Sequence, residues 1–312
     1  MNFLKPKFWD YKKPNFVAFL LLPFTLPILI SNFLKSFRVQ KKIKNIKTVC
    51  VGNIYVGGTG KTPLAIKSNN LLKSNNLKST IIKKFYHNQI DEQNLIKKYS
   101  NLICKKKRLD ALDEALLSKF QYAIFDDGLQ DKSINYDLKI VCFSNLQWIG
   151  NGLIIPAGPL REKINSILKY DAVVINGDTS LNKNIINEVK KIKKNLKIFE
   201  TDYEISNLSE LEVDSRYVIF SAIANPTNFL KILKKNNFKV EKEYIFPDHY
   251  IYRESDLTNI LNYAKNKNLK VMTTEKDYSK IDNKYQNEIS FIKLDLKILN
   301  EEKFVDFLKE EK

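Results

Sequence analysis

Between Thr48 and Lys73 the chain runs from a short β-rich strand, Thr48–Val51, through a glycine-rich turn into a helix that Lys61-Thr62 opens. The turn is Gly57-Gly58-Thr59-Gly60. Glycines let a backbone fold around phosphates with its N–H groups turned inward, and the following helix N-terminus adds a favourable dipole. In this pattern Gly57, Gly58, Thr59, Gly60, Lys61 and Thr62 form a nucleotide cradle. Lys61 reaches the β- and γ-phosphates, and the Thr62 hydroxyl ligates Mg²⁺. Pro63 sits early in the helix, where its missing N–H costs little. One departure stands out: Tyr55 occupies the place of the first glycine of G-x-x-x-x-G-K-[ST]. A chance glycine-rich turn is the competing reading, and the strand–GGTGKT–helix order weighs against it.

A phosphate loop of this kind needs an acidic residue at the end of another strand to help hold the metal. The run Tyr122-Ala-Ile-Phe-Asp-Asp-Gly128 supplies Asp126 and Asp127 behind an apolar strand. Alone, such a strand end is more often a turn; beside a phosphate loop, metal binding is the better reading. Guanine selectivity calls for Asn/Thr-Lys-x-Asp, and the nearest run, Thr274-Glu-Lys-Asp277, has Glu in the lysine's place. ATP is therefore the expected nucleotide.

The rest of the pattern is α/β. Strands are expected at Thr80–Ile82, Tyr122–Phe125, Lys139–Phe143, Ala172–Ile175 and Lys197–Phe199, separated by helical or polar stretches as in a parallel sheet covered by helices. Near Val213–Arg216 the pattern restarts: strand Tyr217–Ala222, helix Pro226–Lys235, strand Lys239–Phe246, helix Ser255–Asn266 and strand Lys270–Thr273. A last strand, Ser290–Leu294, and a terminal helix, Glu302–Glu310, follow. The expected architecture is a P-loop NTPase-like, mainly parallel sheet domain over 39–212, a smaller α/β domain over 213–312, and an N-terminal membrane-associated segment over 1–38. The three cysteines lie in or beside apolar runs without C-x-x-C spacing, so they read as core residues rather than a disulfide framework or zinc site.

Phe16–Leu34 carries no charge over 19 residues, close to a membrane span, but Pro23 and Pro27 interrupt it and basic residues flank both ends. Lysine on both sides gives no one-sided orientation signal. A broken helix lying in the headgroup region suits this better, with a buried core helix as the alternative. The formal net charge is +17, carried almost wholly by lysine, with only five arginines. The excess agrees with an anionic membrane or substrate, although compositional drift toward Lys accounts for much of it. The basic residues are spread along the chain with no nucleic-acid recognition fold, so no nucleic-acid partner is expected.

Taken together and in order, Pro6-Lys-Phe-Trp9, the phosphate loop through Pro63, Asp126-Asp-Gly-Leu-Gln130, Pro156-Ala-Gly-Pro-Leu-Arg-Glu162, Ala222-Ile-Ala-Asn-Pro226, Phe246-Pro-Asp-His-Tyr250 and Thr273-Thr-Glu-Lys-Asp277 resemble the tetraacyldisaccharide 4'-kinase family, the lipid A 4'-kinases of Gram-negative bacteria. The resemblance covers most of the chain. It implies two α/β/α domains and transfer of the ATP γ-phosphate, with Mg²⁺, to the 4'-hydroxyl of a tetraacylated glucosamine disaccharide 1-phosphate, a lipid A precursor. It also implies work at the cytoplasmic face of the bacterial inner membrane, with the apolar N-terminal segment as anchor.

Where the family carries Ser-Arg-Gly-Tyr-Gly and later Gly-Asp-Glu-Pro, this chain has Lys83-Lys-Phe-Tyr-His87 and Ile90-Asp-Glu-Gln93. Asp91 thereby matches the family's catalytic Asp, and His249 its partner. Arg161 suits a phosphate, because a planar guanidinium can hold it by two hydrogen bonds and offset transferring charge. An ion pair with Glu162 or another acid is the competing role. The Thr273–Asp277 run ends a strand, and a capping or interdomain contact is as good a reading of it as catalysis. A second reading of the whole chain is a membrane-attached P-loop ATPase acting as a switch or assembly factor; it differs in needing no sugar-lipid acceptor for turnover.

Overall fold

The computed structural model describes residues 5–37, 40–248 and 250–310. The chain forms two compact units. The larger comprises 5–87, 96–202 and 296–310, and the smaller 88–95 and 203–295.

The larger unit starts with two short helices, α1 (Phe16–Leu21) and α2 (Leu26–Ser36), joined by a 3₁₀ turn over Leu22–Thr25. Asn15 caps α1 by accepting from the Ala18 amide at 2.9 Å. Pro23 and Pro27 each lie in the first turn of their element, where a missing N–H is tolerated. The broken helix that the two prolines predict is what forms.

A short strand, β1 (Lys41–Lys42), leads into β2 (Lys47–Gly52). Then α3 (Lys61–Ser74) crosses to β3 (Ser79–Lys84), and α4 (Ile90–Tyr99), β4 (Leu102–Lys105) and α5 (Arg108–Leu117) return the chain to β5 (Tyr122–Asp126). After β6 (Ile134–Asn135), which pairs with β1, the sheet extends on its other side through β7 (Leu138–Ser144), β8 (Ala172–Asn176), α6 (Asn182–Ile192) and β9 (Lys197–Ile205). β2 lies between β5 and β7, and the pairs from β4 across to β9 are parallel. Strands covered on both faces read as continuous apolar runs, as Val49-Cys50-Val51 and Val173-Val174-Ile175 do, all fully buried. The chain leaves β2 toward β3 on one side and later fills β7 on the other. A crevice therefore opens at the carboxyl ends of the central strands, where open α/β sheets collect ligands.

The smaller unit has its own parallel sheet, ordered β11 (Lys239–Ile245), β10 (Arg216–Ser221), β12 (Lys270–Thr274), β13 (Ile289–Ile292). Its strands alternate with α7 (Pro226–Lys235), α8 (Glu254–Asn266) and the single turns α9 (Glu275–Tyr278) and α10 (Asn283–Gln286). In β10 the side chains divide by parity. Tyr217 and Ile219 pack with Phe229 and Leu233, whereas Val218 and Phe220 pack with Leu257 and Ile260.

The chain end differs from the expected arrangement. The single strand expected at Ser290–Leu294 is two, β13 and then β14 (Leu294–Ile298), and β14 joins the outer edge of β9. The pairs Leu299 N to Glu200 O and Ser206 N to Lys293 O make it antiparallel. Residues 296–310, expected with the smaller domain, thus belong to the larger unit. The reason is the exposed edge of β9, which needs pairing, and the apolar stripe of α11 (Glu301–Lys309). Phe304 and Phe307 of α11 pack edge-on and tilted against Phe199, with ring centres 5.0 and 5.4 Å away.

Candidate active site

The glycine-rich turn lies at the carboxyl end of β2, directly before α3. Gly57 (φ 129°) and Gly60 (φ 81°) take backbone angles that side-chain-bearing residues avoid, which explains glycine at these two positions. The loop is pinned from within: Asn53 Nδ2 donates to the Gly57 carbonyl at 3.2 Å and to Thr59 Oγ1 at 3.0 Å. Asn176, at the end of β8, donates to the Thr59 carbonyl. Held in this way, the first-turn amides of α3, which have no intrahelical acceptor, form an anion site.

Register brings the acids to the same place. Val51 of β2 lies opposite Asp126 of β5, and Lys83 of β3 lies on Asp126's other side. Thr62 Oγ1 donates to Asp126 Oδ2 at 3.0 Å. Lys83 Nζ is 2.6 Å from the same oxygen, and both side chains of this ion pair are buried. Asp126 Oδ1 is buried and accepts no hydrogen bond among the described residues. An unsatisfied carboxylate oxygen next to a threonine hydroxyl is the chemistry a hard cation requires, and it fits Mg²⁺ at Thr62 and Asp126. Among the described residues no three His, Cys, Asp or Glu side chains form a closed metal cage.

Asp127 follows with φ 60°, its amide donating to the Val51 carbonyl at 2.8 Å. Its carboxylate faces Arg161 Nη1 at 3.2 Å and Lys61 Nζ at 3.8 Å. Burial alone would raise the Asp127 carboxyl, but Lys61, Arg161, Lys83 and Arg108 outweigh it and hold it below the usual carboxylate range. Arg161 also donates to Gln130 Oε1 at 3.0 Å, so its acidic partner is Asp127 and not its neighbour Glu162. Arg108 donates to the Asp127 carbonyl at 2.6 Å and pairs with Asp131 at 3.1 Å.

The N-terminal helices pack on this region. Ile28 and Leu29 of α2 lie against Tyr55, Ile154 and Leu160, and Asn32 donates to the Arg161 carbonyl at 2.9 Å. The Tyr55 hydroxyl donates to Asp10 at 2.5 Å, and Lys5 reaches the same phenol at 3.1 Å. Tyr55 thus takes the first-glycine position as a buried tie to the N-terminal segment. The opposite side of that segment is bare: Phe16 is 81% exposed, with Phe19, Leu20, Phe24, Phe33 and Phe37 all more than half exposed. Phe16–Lys35 is also long and apolar enough to cross a membrane.

Asp91 lies in the first turn of α4, within the smaller unit. It is nearly buried and ion-paired with Lys276 and Lys280, each Nζ at 3.3 Å. Lys276 also pairs with Asp248 at 3.2 Å. Burial would lower the Lys276 ammonium, yet Asp248, Glu92, Asp91 and Asp277 raise it above its ordinary value. His249 lies outside the described residues; its neighbour Asp248 shares Lys276 with Asp91. The Thr274–Asp277 run proves to be a brace. Thr274 Oγ1 accepts from the Asp277 amide, and the buried Asp277 carboxylate accepts from the Ala222 amide, Thr274 and Lys280. These bonds tie Asp277 to the end of β10 and to its own turn, while Lys276 and Lys280 both reach Asp91.

Sequence reasoning brings forward Lys61, Thr62, Asp126, Asp127 and Arg161, and the structure gathers all five around the loop. It misses Asn53, Lys83, Arg108 and Asn176 there, and Lys276 and Lys280 around Asp91.

The family model described as tetraacyldisaccharide-1-P 4'-kinase matches residues 17–312. The chain is 46% identical over 310 residues to the tetraacyldisaccharide 4'-kinase of Pelagibacter ubique (strain HTCC1062), covering 99% of this chain and 98% of that one. It is 33% identical to the enzyme of the same name from Rickettsia canadensis (strain McKiel), covering 96% and 95%. Among solved structures it is similar to LpxK from Aquifex aeolicus, crystallised in complex with ATP, with a TM-score of 0.68 and 23% identity over 94% of this chain and 98% of that one. That likeness shows a shared fold.

Proposed function

The chain belongs to the tetraacyldisaccharide-1-phosphate 4'-kinase family, and on that premise we infer that it transfers the γ-phosphate of ATP to the 4'-hydroxyl of a tetraacylated glucosamine disaccharide 1-phosphate. The observation that carries the nucleotide half is the ring of Lys61, Thr62, Asp126, Asp127 and Arg161 around a glycine-lined helix N-terminus. Thr62, Asp126 and Asp127 would hold Mg²⁺, which when bound neutralises charge on the β- and γ-phosphate oxygens. Gly57 to Thr62 cradle the phosphates by their amides, and Lys61 adds a positive charge. In transfer, the 4'-oxygen forms its bond to the γ-phosphorus as the bond to the β–γ bridging oxygen breaks. ADP leaves with that electron pair, and the hydroxyl proton passes to Asp91 with His249 as its partner.

Arg161 steadies Asp127 and adds charge near the transferring group. Losing a charge-assisted hydrogen bond of this type costs about 1.5–3 kcal/mol. Arg161→Ala is therefore expected to lower kcat/KM roughly 10- to 100-fold, and Arg161→Lys to recover only part of it because the planar fork is lost. Steady-state kinetics with ATP as the varied substrate checks this; full activity in Arg161→Ala would remove the residue from the site.

The bare side of α1 and α2 supports attachment to a membrane surface, and a kinase that draws on ATP and a glycolipid works at the cytoplasmic face of the inner membrane. Replacing Phe19, Leu20 and Phe24 with Ser keeps the Ile28 and Leu29 contacts to the phosphate-loop region. At about 1.5–3 kcal/mol per large apolar side chain buried, the triple variant is expected to lose well over tenfold in binding to anionic vesicles. ATP affinity should stay within about twofold, since none of the three packs near Tyr55. Vesicle flotation alongside nucleotide titration separates the two, and unchanged flotation would refute the surface assignment.

A further inference from the structure

Lys83 is the residue at the loop whose charge the phosphate-site reading leaves unused. It stands at the carboxyl end of β3, in register with Asp126 of β5. In-register neighbours project to the same face of a sheet, so the ammonium is delivered to the carboxylate by the strand pairing itself. The pair is 2.6 Å apart, with side-chain exposures of 3% and 0%. Thr62 donates to the same oxygen, Oδ2. Asp126 therefore meets a fixed positive charge where a hard cation would approach it, and only Oδ1 is left without a hydrogen bond among the described residues.

The wider balance points the same way. Around the loop, Lys61, Lys83, Arg108 and Arg161 face Asp126, Asp127 and Asp131, with Glu162 beyond Gln130, so four positive groups meet four negative ones. A divalent cation arriving alone finds Asp126, Asp127 and Asp131 each already facing a fixed positive group. The triphosphate of ATP adds negative charge and at the same time offers the ammonium new oxygen acceptors. Lys83 already acts electrostatically on Asp127 as well as on Asp126, so its charge is felt across the site.

We propose that Lys83 is a built-in counter-cation of the metal site, holding Asp126 while nucleotide is absent and releasing it to the phosphates, so that the protein takes up Mg²⁺ with nucleotide and not before it. The inference rests on the reading of Thr62 and Asp126 as metal-holding residues. It makes Lys83 a positioning residue acting through Asp126.

The test is titration of Mn²⁺, in place of Mg²⁺, into the full chain by calorimetry and electron paramagnetic resonance. Wild type, Lys83→Met and Lys83→Arg are compared, each with and without the non-hydrolysable analogue AMP-PCP. Without the analogue, Lys83→Met is expected to bind Mn²⁺ about tenfold more tightly than wild type or beyond, a common size for coupling between ligands. Lys83→Arg, which keeps the charge, should stay near wild type. Equal Mn²⁺ affinity in Lys83→Met and wild type, while wild type binds Mn²⁺ with the analogue present, overturns the role of Lys83 and leaves the metal site standing. Failure of wild type to bind Mn²⁺ even with the analogue overturns the metal site and this inference together. Lys83→Met also leaves a buried carboxylate without its cation, so its melting temperature is read with and without millimolar Mn²⁺. Metal is expected to restore stability to Lys83→Met and to have little effect on wild type; a variant unfolded at every Mn²⁺ concentration contradicts the proposal.

Discussion

Lys61→Ala is expected to lower kcat by roughly 10²–10³-fold, the scale seen when one preorganised charge-stabilising donor is removed from a phosphoryl- or acyl-transfer site. The fold should survive, because Lys61 lies at the start of α3 and, among the described residues, its ammonium forms an ion pair with Asp127 alone, 3.8 Å away. Removing it leaves no buried charge uncompensated, since Arg161 still faces Asp127 at 3.2 Å. Thr62→Ala should match the loss in rate by a different route. Its hydroxyl is the neutral donor at Asp126, and without it both the proposed metal ligand and one hydrogen bond of that carboxylate go. The two variants differ in metal response: raising Mg²⁺ should recover part of the Thr62→Ala activity and none of the Lys61→Ala activity. Near-wild-type turnover in either would remove the loop from the chemistry.

Asp91→Asn is expected to reduce kcat by about 10²–10⁴-fold, the usual contribution of a positioned general base. ATP affinity should remain within about twofold, because a base that takes the acceptor's hydroxyl proton is not needed to hold the nucleotide. Asparagine keeps the shape of Asp91 but removes the charge that Lys276 and Lys280 share, so part of any effect reflects those ammonium groups. Measuring the thermal midpoint alongside the kinetics separates the two: a base role lowers kcat far more than stability. His249→Ala should act in the same direction, and the double variant should cost much less than the product of the single losses, as for residues working as one unit. Multiplicative losses would mean independent roles. A fully active Asp91→Asn would end the assignment.

What the sequence made legible was local. The turn from Gly57 to Thr62 announces itself within a dozen residues, because tight backbone curvature, positive φ and a helix start all leave residue-type signatures close together. Asp126 and Asp127 were readable for the same reason, as acids at the end of an apolar strand. Lys83, Arg108 and Asn176 were not, because their part in the site depends on which strands are neighbours. Lys83 meets Asp126 only through the register of β3 against β5, and Asn176 meets Thr59 only because β8 follows β7 in the sheet. Lys276 and Lys280 escaped for a related reason. Their motif could be read as a cap, which it is, but the cap also aims two ammonium groups at an acid far earlier in the chain. The strand Leu102–Lys105 is an edge whose brief apolar run is cut off by Lys105, Lys106 and Lys107, and β14 is visible only once β9 is seen to need an edge partner. Tyr55, a departure from the loop pattern, gains its meaning from the N-terminal segment packed on it.

The central claim is phosphoryl transfer to a lipid, and it is tested most directly by incubating the purified full chain with [γ-³²P]ATP, Mg²⁺ and the tetraacylated glucosamine disaccharide 1-phosphate in detergent or vesicles. The account predicts one labelled lipid product carrying phosphate at the 4'-position, with ATP consumption that depends on the acceptor and disappears in Lys61→Ala. ATP hydrolysis of the same rate with and without the disaccharide, with label appearing only as inorganic phosphate, would contradict it and favour a membrane-attached ATPase switch.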